Sequence, residues 1–280
     1  MNKYKALAIT TRYWKPGDDY VQEIVRSVKG KIADRDFLVV SEKAISTALN
    51  NIIDESSVKP CFSAKILAKF WMRVVWGYFL GIACHFKGKL LEYLRKYPEN
   101  AGSRHKHVAL QYAGLLQALM FGSEGGIDGS NLPFSYVSLT LRNADNVAHQ
   151  IQKQVKLQLR KNVTVIIVDT DKTYSFRNFH FTPRPKPIKS IFSVGSFFLY
   201  IIGRMLKLKK RATPLAIAGS KITAEQALEI ADFANRVRGF GAGKTVWDMA
   251  EKFNVGLTDV TWEMLETVKH KPIVIVRGKR

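Results

Sequence analysis

The loop Gly125-Gly126-Ile127-Asp128-Gly129-Ser130-Asn131 sets a carboxylate, a hydroxyl and a carboxamide among glycines. The apolar run at residues 163–168 reads as a buried strand that delivers Asp169 and Thr170 at its C-terminal end. Two aspartates on separate loops can hold a hard divalent cation, because Mg²⁺ takes one or two carboxylates plus substrate phosphates. Glycines beside them would let backbone N–H groups approach those phosphates. The same residues also permit a plainer reading. Asp, Ser and Asn among glycines are turn formers, and Asp-Thr after a strand commonly caps the next helix.

Elements that could position such groups follow in order along the chain. Residues 6–11 have the pattern of a first strand, with Lys15-Pro16-Gly17-Asp18 as the turn after it. Asp18 or Asp19 can cap a helix that places Val21, Ile24, Val25 and Val28 on one face. Residues 37–40 form a second short strand whose polar exit is Ser41-Glu42-Lys43. Residues 136–141 alternate like a strand, and Asn143 or Asp145 can cap a helix carrying Val147, Ile151, Val155 and Leu159 inward to the run at 163–169. This strand–helix–strand succession predicts an α/β to α+β architecture, mixed sheets with flanking helices, and a site near strand ends. Thr223-Ala224-Glu225-Gln226 opens a further helix, and residues 273–276 are a last strand.

Composition bounds the partners. The 280 residues carry 44 Lys+Arg against 23 Asp+Glu, a formal charge of +21. That balance favours polyanions: nucleotide phosphates, nucleic acid or an anionic membrane. No recognised nucleic-acid motif accompanies it, so nucleic acid is not an expected partner. Cys61 and Cys84 have neither disulfide-framework nor zinc spacing. With no secretory signal at the N-terminus, a cytoplasmic protein is expected.

Two apolar stretches call for a separate decision. Residues 64–97 are helical in pattern, rich in aromatics and interrupted by Lys69 and Arg73, with no acid between Pro60 and Leu91. Residues 191–202 are apolar and followed by Arg204, Lys207, Lys209, Lys210 and Arg211, with no acid between Arg184 and Arg211. No uninterrupted run reaches the ~20 residues of a spanning helix, so both are expected to be buried in the fold or a homodimer. Peripheral membrane contact is the alternative. His105-Lys106-His107 is expected at the surface, since a metal site needs further ligands. Arg238 stands where the first glycine of a P-loop would be, and the segment Gly239-Phe240-Gly241-Ala242-Gly243-Lys244-Thr245 follows a helix rather than a strand. A P-loop is thereby excluded.

The blocks Pro16-Gly17-Asp18-Asp19, Phe37-Leu38-Val39-Val40-Ser41-Glu42-Lys43, Gly126-Ile127-Asp128-Gly129-Ser130-Asn131 and Val165-Ile166-Ile167-Val168-Asp169-Thr170 occur in the order that resembles the coenzyme F420-0:L-glutamate ligases. Phe233-Ala234-Asn235 with Gly239 and Gly241, and Ile273-Val274-Ile275-Val276-Arg277-Gly278, resemble that family's closing segments. The resemblance implies a single domain over 1–280 of the F420 ligase-like fold. A poorly matching basic and apolar insertion falls at about 179–215. It further implies a homodimer that joins L-glutamate to a deazaflavin coenzyme precursor through an amide bond, using GTP and Mg²⁺ or Mn²⁺.

On that resemblance, Asp128 and Asp169 are metal ligands, while Ser41, Lys43, Asn131, Thr170, Gly239 and Gly241 contact nucleotide. Three positions depart from the family's pattern. Thr47 replaces a lysine, Asp171-Lys172-Thr173 replaces the usual continuation after Asp169-Thr170, and Phe240 stands where the family carries an acidic metal ligand. Asp171 is the candidate to supply the missing oxygen. Three functions follow: a GTP- and metal-dependent amide ligase, a diverged homologue that binds nucleotide without that reaction, and a basic protein that binds nucleic acid or a membrane surface.

Overall fold

Strict alternation of side chains along two neighbouring strands builds the centre of the molecule. The computed structural model describes residues 3–122 and 124–279. Its main sheet contains β1 (Tyr4–Thr11), β2 (Phe37–Ser41), β5 (Thr164–Phe176), β6 (Phe179–Phe181), β7 (Lys209–Ala218) and β8 (His270–Gly278). The order runs β1-β8-β2-β5, with β7 on the far edge of β5 and β6 on the edge that β2 leaves free. Only β2 and β5 are parallel, with Ser41 opposite Val168; the other pairs are antiparallel. A second, two-stranded sheet pairs β3 (Ile52–Asp54) with β4 (Tyr136–Ser138).

Period-two alternation sends Leu38, Val40, Val165 and Ile167 to one face, under the helices Tyr20–Val28, Glu42–Ala48 and Ala144–Leu159. Val39, Ile166, Val168 and Val274 point to the other face, under the helix Ala224–Arg238. Helices cover both faces, which is why the central strands are apolar throughout. Asp19 caps the first helix by accepting from the Gln22 backbone N–H, and Thr223 does the same for Gln226 ahead of Ala224–Arg238.

Beside this layered body lies a helical lobe. The helix Phe62–Ala83 starts as α, widens to π turns over Leu67–Leu80 and closes as α. With the helices Lys89–Arg95 and Ser196–Met205 it encloses a cluster that includes Met72, Trp76, Phe86, Leu94, Phe121 and Tyr200. Trp71 and Trp76 both donate their indole N–H to the Leu119 carbonyl at 2.8 Å.

Several expectations are corrected here. The fold alone does not bury the stretches at 64–97 and 191–202, since Phe70, Phe79 and Phe198 are 55–66% exposed; burial in a homodimer is the branch of that expectation this leaves. Aromatics spaced for one inward face also fall on the outward face. The helix Phe62–Ala83 is, by length and hydropathy, long enough to cross a membrane, despite Lys69 and Arg73. His105-Lys106-His107 is not a surface triplet. It lies on the helix Glu99–Tyr112, where Lys106 is fully buried and its ammonium donates to Glu124 and the Met120 carbonyl. The expected strand at 136–141 stops at Ser138, because Asn51 binds the Leu139 and Thr140 carbonyls and Glu42 accepts from the Leu141 N–H. Finally, β5 does not end at Asp169; it bulges there and runs on to Phe176.

Candidate functional site

β2 ends at Ser41 opposite Val168, where its parallel pairing with β5 stops and β5 continues through a bulge, and the end of a parallel pairing is a usual location of a ligand crevice in such sheets. Ser41 closes β2, and the chain turns at once into the helix Glu42–Ala48, so Glu42 and Lys43 leave its first turn. Lys43 crosses to the glycine loop. Its ammonium donates to the Ser130 carbonyl and hydroxyl, each at 2.8 Å, and lies 2.5 Å from the Asp128 carboxylate. The other Asp128 oxygen accepts from the Ser130 N–H at 2.7 Å. Burial alone would push the Asp128 carboxyl up; Lys43 and Ser130 outweigh it and hold the group below its ordinary value.

Glu42 faces the opposite way, to Arg184. The Arg184 guanidinium donates from one terminal nitrogen to Glu42 at 2.6 Å and from Nε to Asp169 at 2.6 Å. All three side chains are nearly removed from solvent. Burial and the neighbouring Asp169 push the Glu42 carboxyl up, opposed by Arg184. Gly126 makes room for the guanidinium: it has φ +91°, and a Cβ there would lie 2.6 Å from Arg184 Cζ. The close approach this glycine serves is therefore to an arginine.

At Asp169 the ladder with β7 shifts register, so that Asp169 opposes Thr213 and the next paired residue is Lys172 opposite Ala212. Thr170 and Asp171 form the bulge, a device common beside active sites. Asp169 accepts from the Asp171 N–H at 3.2 Å. The Asp171 side chain points into buried space, where its Oδ2 has no hydrogen-bond partner. Burial, then repulsion by Asp169, raise its carboxyl well above the normal carboxylate range.

The fourth wall is the glycine segment after the helix Ala224–Arg238. Gly239 and Gly241 have φ +76° and +61°, and Asn131 latches them: its carbonyl oxygen accepts from the Ala242 N–H at 2.6 Å and its amide donates to the Gly243 carbonyl at 3.0 Å. The Asn131 side chain is thus engaged in shaping the loop. Arg238 is desolvated, which lowers its guanidinium pKa against the support of Asp169 and Asp128. Phe240 is half exposed, with the Lys244 ammonium 4.5 Å from its ring centre.

These walls enclose a cavity of about 490 Å³, large enough for a nucleotide or cofactor. Ser41, Lys43, Asp128, Asn131, Asp169, Thr170, Asp171, Gly239 and Gly241 all line it. The profile of the family described as F420-0:Gamma-glutamyl ligase matches residues 8–180.

The chain belongs to the F420-0:gamma-glutamyl ligase family.

It is also 35% identical, over 287 aligned residues, to an uncharacterized protein of Methanocaldococcus jannaschii, covering 98% of this chain and 97% of that protein. Within the family match fall both aspartate loops and the Ser41-Glu42-Lys43 segment. Arg184 lies just beyond it, yet bonds Glu42 and Asp169 inside it.

Arg238 lines the cavity, while Arg184 and Glu42 stand behind Asp169 without lining it; none of the three was selected from the sequence. Arg184 sits in Arg184-Pro185-Lys186-Pro187, a stretch without periodicity. The only available signal for Glu42 was its place between two candidates.

Asp128, Asp169 and Asp171 are the carboxylates of this cavity that could hold a divalent metal. Among the described residues, no three His, Cys, Asp or Glu side chains are grouped closely enough to cage an ion by themselves. Asp128 is drawn to Lys43, and Asp169 to Arg184. Asp171 offers a buried carboxylate oxygen without a partner in the same cavity. Such a set suits Mg²⁺ or Mn²⁺ that completes its shell with water and phosphate oxygens.

Proposed function

We propose that the protein is a GTP- and divalent-metal-dependent ligase that forms a γ-glutamyl amide bond on a coenzyme F420 precursor or a related carboxylate. The observation that carries this reading is the convergence of Asp128, Asp169 and Asp171 with Lys43 and Arg238 around one cavity in a chain of this family. Asp128, Asp169 and Asp171 would hold the metal, which would neutralise phosphate charge. Lys43 keeps Asp128 ionised, and Arg238, which lines the same cavity, would answer phosphate charge. The chain's contribution is positioning and charge compensation, and phosphoryl transfer demands little else.

The reaction balances in two steps. The acceptor carboxylate takes the γ-phosphoryl group of GTP, giving an acyl phosphate and GDP. The amine of glutamate then attacks the acyl carbon, phosphate leaves with the C–O electron pair, and the amine loses one proton. Incubating the protein with GTP, Mn²⁺, glutamate and a deazaflavin precursor should yield GDP and a product heavier by one glutamyl residue, read by mass spectrometry. GTP that binds but is never turned over would favour a diverged nucleotide-binding homologue. Phe240, stacked by Lys244 where the family resemblance implies a carboxylate, is the observation behind that second reading.

A further inference from the structure

The outer face of the helical lobe is built unlike the rest of the surface. On the helix Phe62–Ala83, Ala64, Ala68, Met72 and Trp76 are buried at a spacing of four. Phe62, Ile66, Phe70 and Val74 repeat at the same spacing and are exposed, with Tyr78 and Ile82 continuing the row and Phe79 beside it. The helix Ser196–Met205 packs against it through Trp71 with Phe197 and Trp76 with Tyr200, ring centres 6.0 and 5.8 Å apart. It also buries one side, Tyr200 and Gly203, and exposes Phe198, Ile202 and Met205. Two adjacent helices thus carry unpartnered apolar rows, and contiguous exposed apolar patches mark interaction sites.

Charge identifies what covers them. No acid occurs between Pro60 and Leu91 or between Arg184 and Arg211. Lys65, Lys207 and Lys210 are exposed and take part in no ion pair among the described residues, while Glu99 is already engaged by Lys69 and Arg73. A second copy meeting this face with its own equivalent face would set these cations against themselves with no carboxylate to answer. An anionic bilayer answers the charge and accepts the aromatics together, the pattern of helices that lie in a membrane interface. The inward rows are packed into the aromatic cluster and Lys69 and Arg73 are tied to Glu99, so the helix lies on the bilayer rather than across it.

We infer that the paired outer faces of the helices Phe62–Ala83 and Ser196–Met205 dock the protein peripherally on an anionic phospholipid surface. Tyr200 and Arg204, away from the exposed row of the docking helix, line the cavity, so this helix separates the docked face from the site. The inference stands independently of the ligase reading, and its test involves no turnover.

The full chain is floated with vesicles of phosphatidylcholine alone and of phosphatidylcholine with about 30% phosphatidylglycerol. Binding to the anionic vesicles only is expected. Phe70→Glu with Phe198→Glu, and separately Lys65→Glu with Lys207→Glu and Lys210→Glu, should each weaken partition by about tenfold or more. All five positions are exposed, and unchanged thermal unfolding certifies the fold; should the aromatic variant misfold, the lysine variant carries the test. A wild-type chain that stays off anionic vesicles, or variants that float as it does, overturns the inference. So does a dimer in sedimentation that Phe70→Glu with Phe198→Glu converts to monomer, which would make the face a contact between copies.

Discussion

Arg184 is the residue on which the site's charge balance turns. One guanidinium serves two buried carboxylates, Glu42 and Asp169, at 2.6 Å each. Removing one partner of such a set leaves uncompensated charge out of water, which costs far more than the pair itself contributes. Arg184→Met should therefore lower unfolding stability by about 3–5 kcal/mol in denaturant titration. A loss below about 1 kcal/mol would show that Glu42 and Asp169 are satisfied by other groups. The two aspartates were legible in the sequence because each closes an apolar or glycine-rich segment. Arg184 was not, because a long-range ion pair leaves no local pattern and its Pro-flanked stretch has no period.

At the scale of elements, the loop that resembles a phosphate cradle has a different duty at one position. Gly126 is needed because φ is +91° and because Arg184 occupies the space of a Cβ. Gly126→Ala should destabilise by more than about 1 kcal/mol; in the Arg184→Met background the clash is relieved while the strain of φ +91° remains, so the double variant should lose less than the sum of the two single losses. Equal, additive losses in the double variant would show that the backbone conformation alone demands glycine. Strands β2 and β5 were legible from their apolar runs. The bulge at Thr170-Asp171 was not: an extended strand would put Asp169 and Asp171 on one side. The register shift instead turns Asp171 into buried space with one oxygen unpartnered. The helix Phe62–Ala83 was legible as a helix, but its aromatics fill both faces, so its sequence could not tell which half would be covered.

At the scale of the molecule, a layered α/β body presents the end of β2 beside the bulge in β5, and the segment from Phe179 to Ala218 returns as β6 and β7 to complete that sheet. This segment also contributes Arg184 to the site and the helix Ser196–Met205 to the lobe. Neither role follows from its composition, which signals only basic charge and apolar bulk. The charge of +21 likewise pointed to polyanions without choosing among them; the cavity and the outer helical face now divide that charge between two candidate surfaces. The central claim is that Asp128, Asp169 and Asp171 hold a divalent metal together with nucleotide phosphates. Electron paramagnetic resonance titration of Mn²⁺ into the full chain, with and without GTP, tests it most directly. The account predicts that GTP tightens Mn²⁺ binding and that Asp128→Asn or Asp169→Asn weakens it by about tenfold or more. Mn²⁺ affinity indifferent to GTP and to both substitutions would contradict it.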